Sequence, residues 1–203
     1  MNHIKSKHIA EAFGTGILAL VVTLSAQASG ALPISTAVLA ALIVAMFVFT
    51  IGPISGTHLN PAVTLAQFAQ KRIGQLDALY YLGAQVLGAA IAGCIVHGFT
   101  TAKFAAFFAF SPAVFVSEIF GALMLMFGIA SVVVGRVSAQ GAPFVIGGSL
   151  LVGIMLALLM GGMGIINPAV AFALGELSLD TLFGPVIGAT IGMYFYTLIS
   201  EKH

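Results

Sequence analysis

Two short motifs concentrate the chemistry available to this chain: Asn60-Pro61-Ala62 and Asn167-Pro168-Ala169. Asparagine before proline marks a helix start. The carboxamide caps orphan N–H groups, and proline, which has no N–H and a φ fixed near the helical value, suits the first turn. A helix N-terminus also carries roughly half a positive charge. Two such ends facing one narrow opening repel cations, and the two carboxamides donate hydrogen bonds to an oxygen passing between them. A water held there gives both lone pairs to Asn60 and Asn167 and accepts nothing from the next water. That interrupts a proton wire.

Upstream of each motif lies an irregular, glycine-containing stretch, residues 52–59 and 161–166. Carbonyls of Gly56, Thr57 and His58, and of Met163, Gly164 and Ile165, can form a ladder of acceptors for solutes that donate hydrogen bonds. Two carboxylates, Glu11 and Glu118, fall inside apolar runs. A charge at the centre of a membrane helix costs about 2.5 to 3.5 kcal/mol on insertion scales, so each needs partners or a proton. The reading adopted is structural: each carboxylate accepts hydrogen bonds from backbone N–H groups of a nearby irregular loop. Proton coupling is the alternative.

The elements that position these residues follow from composition. Of 203 residues, 60% are apolar and 6% charged, with mean hydropathy +1.14; a soluble domain carries about 25% charged residues. Lipid must therefore replace water as solvent for most side chains. Seven Lys and Arg against six Asp and Glu leave no basic field for nucleic acid. The class expected is an all-α membrane protein whose partners are the lipid bilayer and a small solute, and whose function is transport.

At roughly 20 residues per span, six spans fall near residues 9–28, 33–51, 78–97, 112–134, 141–160 and 181–199. Two shorter segments, 60–70 and 167–175, reach roughly half of a ~30 Å hydrocarbon core and read as re-entrant half-helices. This arrangement puts Lys5, Lys7, Lys71, Arg72, Arg136 and Lys202 on one face and Lys103 on the other, so both termini are expected in the cytoplasm. Residues 98–111, with five phenylalanines, form the longest outer connection and read as an interfacial segment. Lys5, Lys7, the first apolar run and Ala26-Gln27-Ala28 mimic a secretory signal with its cleavage site. Glu11, early in the apolar stretch, argues against that reading.

The motifs recur at one spacing. Asn60 and Asn167 lie 107 residues apart, and so do Glu11 and Glu118. This implies a duplicated unit, about 9–97 and 112–199, of three spans and one half-helix. Three is odd, so the second copy enters the membrane inverted, which places the functional site at the midplane where the half-helices meet. The third spans extend the match, with Ala84, Gly88 and Ala92 against Gly184, Gly188 and Gly192. Small residues every fourth position let helix backbones approach closely in lipid, and packing explains them.

An enzyme is not expected, and neither a cofactor nor a metal. His3, His8 and His203 are terminal, His97 ends a span, His58 belongs to the loop motif, and none has Cys, Asp or a second His at ligand spacing. No glycine-rich phosphate loop follows a strand. The single Cys94 sits in an apolar run and reads as a small buried hydrophobe.

The residues in order, Ser55-Gly-Thr-His-Leu-Asn-Pro-Ala-Val-Thr64, Gly164-Ile-Ile-Asn-Pro-Ala169, the glutamates of both first helices, Tyr81-Leu-Gly-Ala-Gln85 and Gly184-Pro-Val-Ile-Gly188, resemble the aquaporin and glycerol-facilitator family of major intrinsic proteins. The resemblance covers essentially the whole chain. It implies six helices with two half-helices, a homotetramer with one pore per subunit, and passive passage of water or small neutral solutes.

The family usually has Arg directly after the second Asn-Pro-Ala, in the narrow outer filter; here Val170 stands there. The resemblance places the other filter positions at Ala40, Met155 and Gly164, where water channels typically use an aromatic and a histidine for the first two. The implied filter is wholly apolar. It lacks the guanidinium donors, each hydrogen bond being worth about 0.5 to 1.5 kcal/mol net, and cation exclusion rests mainly on the half-helix dipoles. Glycerol facilitators usually follow the Arg with Asp, and this chain has Ala171; Thr181-Leu182 fits neither subgroup cleanly. The expected solute class therefore spans water, glycerol, ammonia and hydrogen peroxide. Two other readings stay open: a channel that leaks ions or protons because Val170 replaces Arg, and a nonconducting scaffold occluded by Met155 and Val170.

Overall fold

A computed structural model describes residues 2–28, 34–98, 108 and 110–200, with side chains from Ser6 onward. Within these residues the chain forms α1 (Asn2–Gln27), α2 (Thr36–Thr50), α3 (Gly52–Ser55), α4 (Pro61–Ala69), α5 (Gln75–His97), α6 (Pro112–Val133), α7 (Ala142–Leu159), α8 (Pro168–Leu174) and α9 (Leu179–Ser200). No strand occurs among them. The aromatic connection read as interfacial, 98–111, lies for the most part outside the described residues, as do Lys103 and Lys202.

Five helices, α1, α5, α6, α7 and α9, are long and apolar enough to cross a membrane. The second expected span, 33–51, is described as the 15-residue α2. Its end has a local cause. Pro53 cannot donate a backbone hydrogen bond, so the chain breaks at Ile51 and restarts as the single turn α3, which closes on Gly56 in the left-handed region, φ 81°. That extra turn was not anticipated.

Helix ends are capped by local chemistry. Ser111 Oγ accepts from Val114 N at 3.4 Å at the start of α6, and Asp180 Oδ2 accepts from Ser111 N at 3.0 Å, tying α9 to α6. Thr181 Oγ1 accepts from Ser178 N at 2.9 Å and donates to Glu176 O at 2.8 Å, which makes it part of the α9 start. Lys7 Nζ and Asp77 Oδ1 pair at 2.9 Å between α1 and α5, close to their N-terminal ends.

The main packing runs α1 against α5, α6 against α9 and α2 against α7, with α4 and α8 set among them. Two glycines show how tightly the first two pairs approach. A Cβ on Gly88 would lie 2.1 Å from Ala12 O, and one on Gly188 would lie 2.0 Å from Ile119 O. Ala12 and Ile119 are themselves 107 residues apart, so the two crossings are one arrangement built twice. The buried core between the helices is largely alanine, with Leu59, Met126, Ile166 and Met193 the largest of its fully enclosed apolar side chains.

Candidate functional site

The stretches before α4 and α8 are irregular, and they hold backbone angles that side chains rarely adopt. Thr57, Leu59 and Ile166 have φ of 52°, 49° and 44°, alongside Gly56 at 81° and Gly164 at 65°. Left-handed conformations in non-glycine residues cost of order 1 to 3 kcal/mol each and persist only where surrounding groups hold them. The buried carboxylates do this. Glu11 Oε1 accepts from His58 N at 2.9 Å and from Ser55 Oγ at 2.7 Å, while Oε2 accepts from Leu59 N at 2.8 Å and Gln85 Nε2 at 2.9 Å. Glu118 accepts from Ile165 N at 3.0 Å and Ile166 N at 2.5 Å.

A second layer of bonds belongs to the first loop. Gln85 Nε2 also reaches Thr64 Oγ1 at 2.9 Å, Thr64 Oγ1 pairs with His58 Nδ1 at 3.0 Å, and Tyr81 donates its hydroxyl to Ser55 O at 2.6 Å. Nδ1 of His58, whose ring lies 4.9 Å from that of Tyr81, is thus spent within the fold, while Nε2 is bonded by no described group. Among the described residues no cluster of three His, Cys, Asp or Glu could hold a metal. Cys94, read from sequence as buried, is exposed on α5; an apolar helix face directed outward reads the same as one directed inward.

Each motif asparagine divides its carboxamide between two tasks. Asn60 Oδ1 accepts from Ala62 N at 2.9 Å, and Asn167 Oδ1 accepts from Ala169 N at 3.0 Å and Val170 N at 3.4 Å, so each caps its own half-helix. The nitrogens reach across: Asn60 Nδ2 donates to Ile166 O and Asn167 Nδ2 to Leu59 O, both at 2.9 Å. Sequence reasoning missed this reciprocal brace, which spends one of the two N–H groups of each carboxamide and leaves the second. The carbonyls next in line, those of Gly56, Thr57 and His58 and of Met163, Gly164 and Ile165, receive no hydrogen bond from any described donor.

Two cavities flank this centre, of about 570 Å³ on the first loop and about 530 Å³ on the second. Positions 107 residues apart divide between them: Gly56, Thr57, His58, Val63 and Gln67 border the first, and Met163, Gly164, Ile165, Val170 and Leu174 the second. Ala40 and Met155 also border the second, so the four implied filter positions surround one space. Asn167 borders it as well, whereas Asn60 borders neither.

Residues 2–196 match the family described as Major intrinsic protein. The chain belongs to that family. It is 30% identical to Aquaporin Z of Rhodopseudomonas palustris over 97% of this chain and 94% of that protein, and 32% identical to Aquaporin NIP1-1 of Zea mays over 95% and 74%. The aquaglyceroporin of Plasmodium falciparum has the same fold, with a TM-score of 0.70 across 95% of each chain at 21% identity. As a major intrinsic protein, the chain is a multi-pass membrane channel for water and small solutes, and not an enzyme.

Proposed function

We propose that the pore of this major intrinsic protein runs from one cavity to the other past Asn60-Pro61-Ala62 and Asn167-Pro168-Ala169. In this reading water and small neutral solutes of the glycerol, ammonia and hydrogen peroxide class pass without tight selection. The observation that carries it is the reciprocal brace between the halves: two capped half-helix N-termini tied to each other, with open carbonyl rows leading to a cavity on either side. Ala40, Met155, Gly164 and Val170 form the filter. They offer a passing solute no side-chain donor, which favours weakly polar molecules over a strict preference for water. The halves 9–97 and 112–199 are the two copies of an inverted repeat, both termini face the cytoplasm, and the working unit is a homotetramer.

Stopped-flow measurements on proteoliposomes with water, glycerol and methylamine gradients test this. Permeabilities equal to those of empty vesicles for all three overturn it. The apolar residue at Val170 favours one second reading, a proton leak, because no fixed cation stands beside the half-helix dipoles. A pH-sensitive dye trapped in the same vesicles decides: a leak that Val170→Arg abolishes supports it, and no proton flux in the unaltered protein retires it.

A further inference from the structure

We propose that the Gln67 carboxamide is a solute-binding post in the first-loop cavity, one that favours small polyols and amides over water. This rests on the reading of the chain as a pore for small neutral solutes. Gln67 sits in the last turn of α4, is 6% exposed, and borders the 570 Å³ cavity. Its Oε1 accepts no hydrogen bond from any described group. Folded proteins rarely leave a buried polar side chain unpaired, and an apolar surrounding raises the penalty. Oε1 is closed off where it stands, and a rotation of the carboxamide brings it to the cavity, where a donor arriving with a solute can pair it.

The surroundings single out this residue. Val63, Ile129 and Ile146 give the cavity apolar walls, and Gln140 stands at its exposed rim. Thr57 Oγ1 is spent on Phe47 O at 3.1 Å, and His58 Nδ1 on Thr64. What remains beside Gln67 are His58 Nε2 and the carbonyls of Gly56, Thr57 and His58, which are acceptors without donors among the described residues. A solute with two or more O–H or N–H groups can donate to Gln67 and to this row together. A half-turn of the carboxamide exchanges its oxygen and nitrogen, so it can also donate to a solute carbonyl or hydroxyl oxygen. The turn is held in place, because Arg72 N donates to Gln67 O at 2.9 Å as α4 closes.

The other half supplies the contrast. The residue 107 positions on is Leu174, which borders the second cavity and can make no such bond. The post is therefore on one side of the pore only.

The test compares the unaltered channel with Gln67→Leu and Gln67→Met in proteoliposomes, reading glycerol and urea permeabilities relative to water. Met is unbranched and of similar length, so it keeps the packing if Leu does not. The expected result is a fall of about fivefold in both ratios, the worth of one net hydrogen bond. Ratios within about twofold of the unaltered protein overturn the proposal, since a residue that only holds a water or fills space leaves them unmoved. Water flux without glycerol or urea flux in the unaltered protein overturns it while the channel reading stands. No flux of any kind overturns both.

Discussion

Around the loop of the first half, one carboxylate, Glu11, gathers two backbone N–H groups and two side chains, Ser55 and Gln85. Around the loop of the second half, Glu118 gathers the two matching backbone N–H groups and, among the described residues, no side-chain donor. The position matching Ser55 is Gly162, where an added Cβ would lie 1.7 Å from Ser117 Oγ. The cavities differ in the same sense, with Thr57, His58 and Gln67 opposed to Gly164, Ile165 and Leu174. What the halves share is what the backbone requires: a carboxylate for two loop N–H groups, one of them on a residue in left-handed backbone, an asparagine cap, a proline, and a carbonyl offered to the other half. What they do not share is side-chain polarity, which accordingly is where each end of the pore can acquire its own preference.

The largest effect that would break this comparison comes from the carboxylates. Glu11→Ala strands four buried donors and Glu118→Ala two. At about 1 to 3 kcal/mol per unsatisfied group, the first variant should fail to accumulate as folded protein, and the second should survive with a lowered unfolding midpoint. Yield after detergent extraction and a thermal scan of the purified protein check the order. Equal losses would mean that the side-chain donors on Glu11 contribute nothing, and that the halves are equivalent in strength as well as plan.

The helix crossings should show the opposite behaviour, because there the halves are alike. Gly88→Ala and Gly188→Ala each drive a methyl group to about 2 Å from a carbonyl oxygen, and overpacking of this kind costs about 1 to 3 kcal/mol. Closely matched drops in unfolding midpoint are expected. A variant tolerated on one side alone would show that one helix pair can slide apart and the other cannot.

Much of this was legible in the residues. Asn-Pro fixes a helix start through local chemistry, so α4 and α8 were expected within a few residues of where they lie, and a buried glutamate in an apolar run demands donors wherever they come from. Other features were hidden for physical reasons. The exchange of bonds between Asn60 and Ile166 and between Asn167 and Leu59 depends on two segments meeting in space, and no local pattern encodes it. Gln67 reads in sequence as an ordinary polar residue near a helix end. Only its burial against a cavity, with Leu174 in the matching place, gives it meaning.

That exchange supplies the next test. Asn60→Ala and Asn167→Ala each lose a cap and one cross-half bond, about 1 to 2 kcal/mol in stability, and each should lower water permeability in vesicles. The two losses should be similar in stability, since the bonds are equivalent at 2.9 Å. They should differ in permeability, because Asn167 borders a cavity and Asn60 does not. Identical permeabilities would place both carboxamides at the same depth of the path.

The smallest contrast lies where the half-helices end. Both close with the same pair of bonds: Lys71 N to Phe68 O at 2.8 Å and Arg72 N to Gln67 O at 2.9 Å for α4, Gly175 N to Phe172 O at 3.2 Å and Glu176 N to Ala171 O at 2.9 Å for α8. This geometry places the donor of the first of these bonds in the left-handed region, where Gly175 has φ 79° and Lys71 has φ 56°. Glycine takes that conformation freely; for lysine it costs roughly 1 to 2 kcal/mol. Relief of that strain in Lys71→Gly is offset by about 0.4 to 1 kcal/mol from the looser unfolded chain, which leaves a gain of order 0.5 kcal/mol. Gly175→Ala reverses both contributions and should lose about as much. The two unfolding midpoints should move in opposite directions by on the order of 1 to 2 °C. If Lys71→Gly instead destabilises the protein, the lysine side chain contributes at its membrane face something that outweighs the strain, and the polar bias of the first half extends to the end of α4.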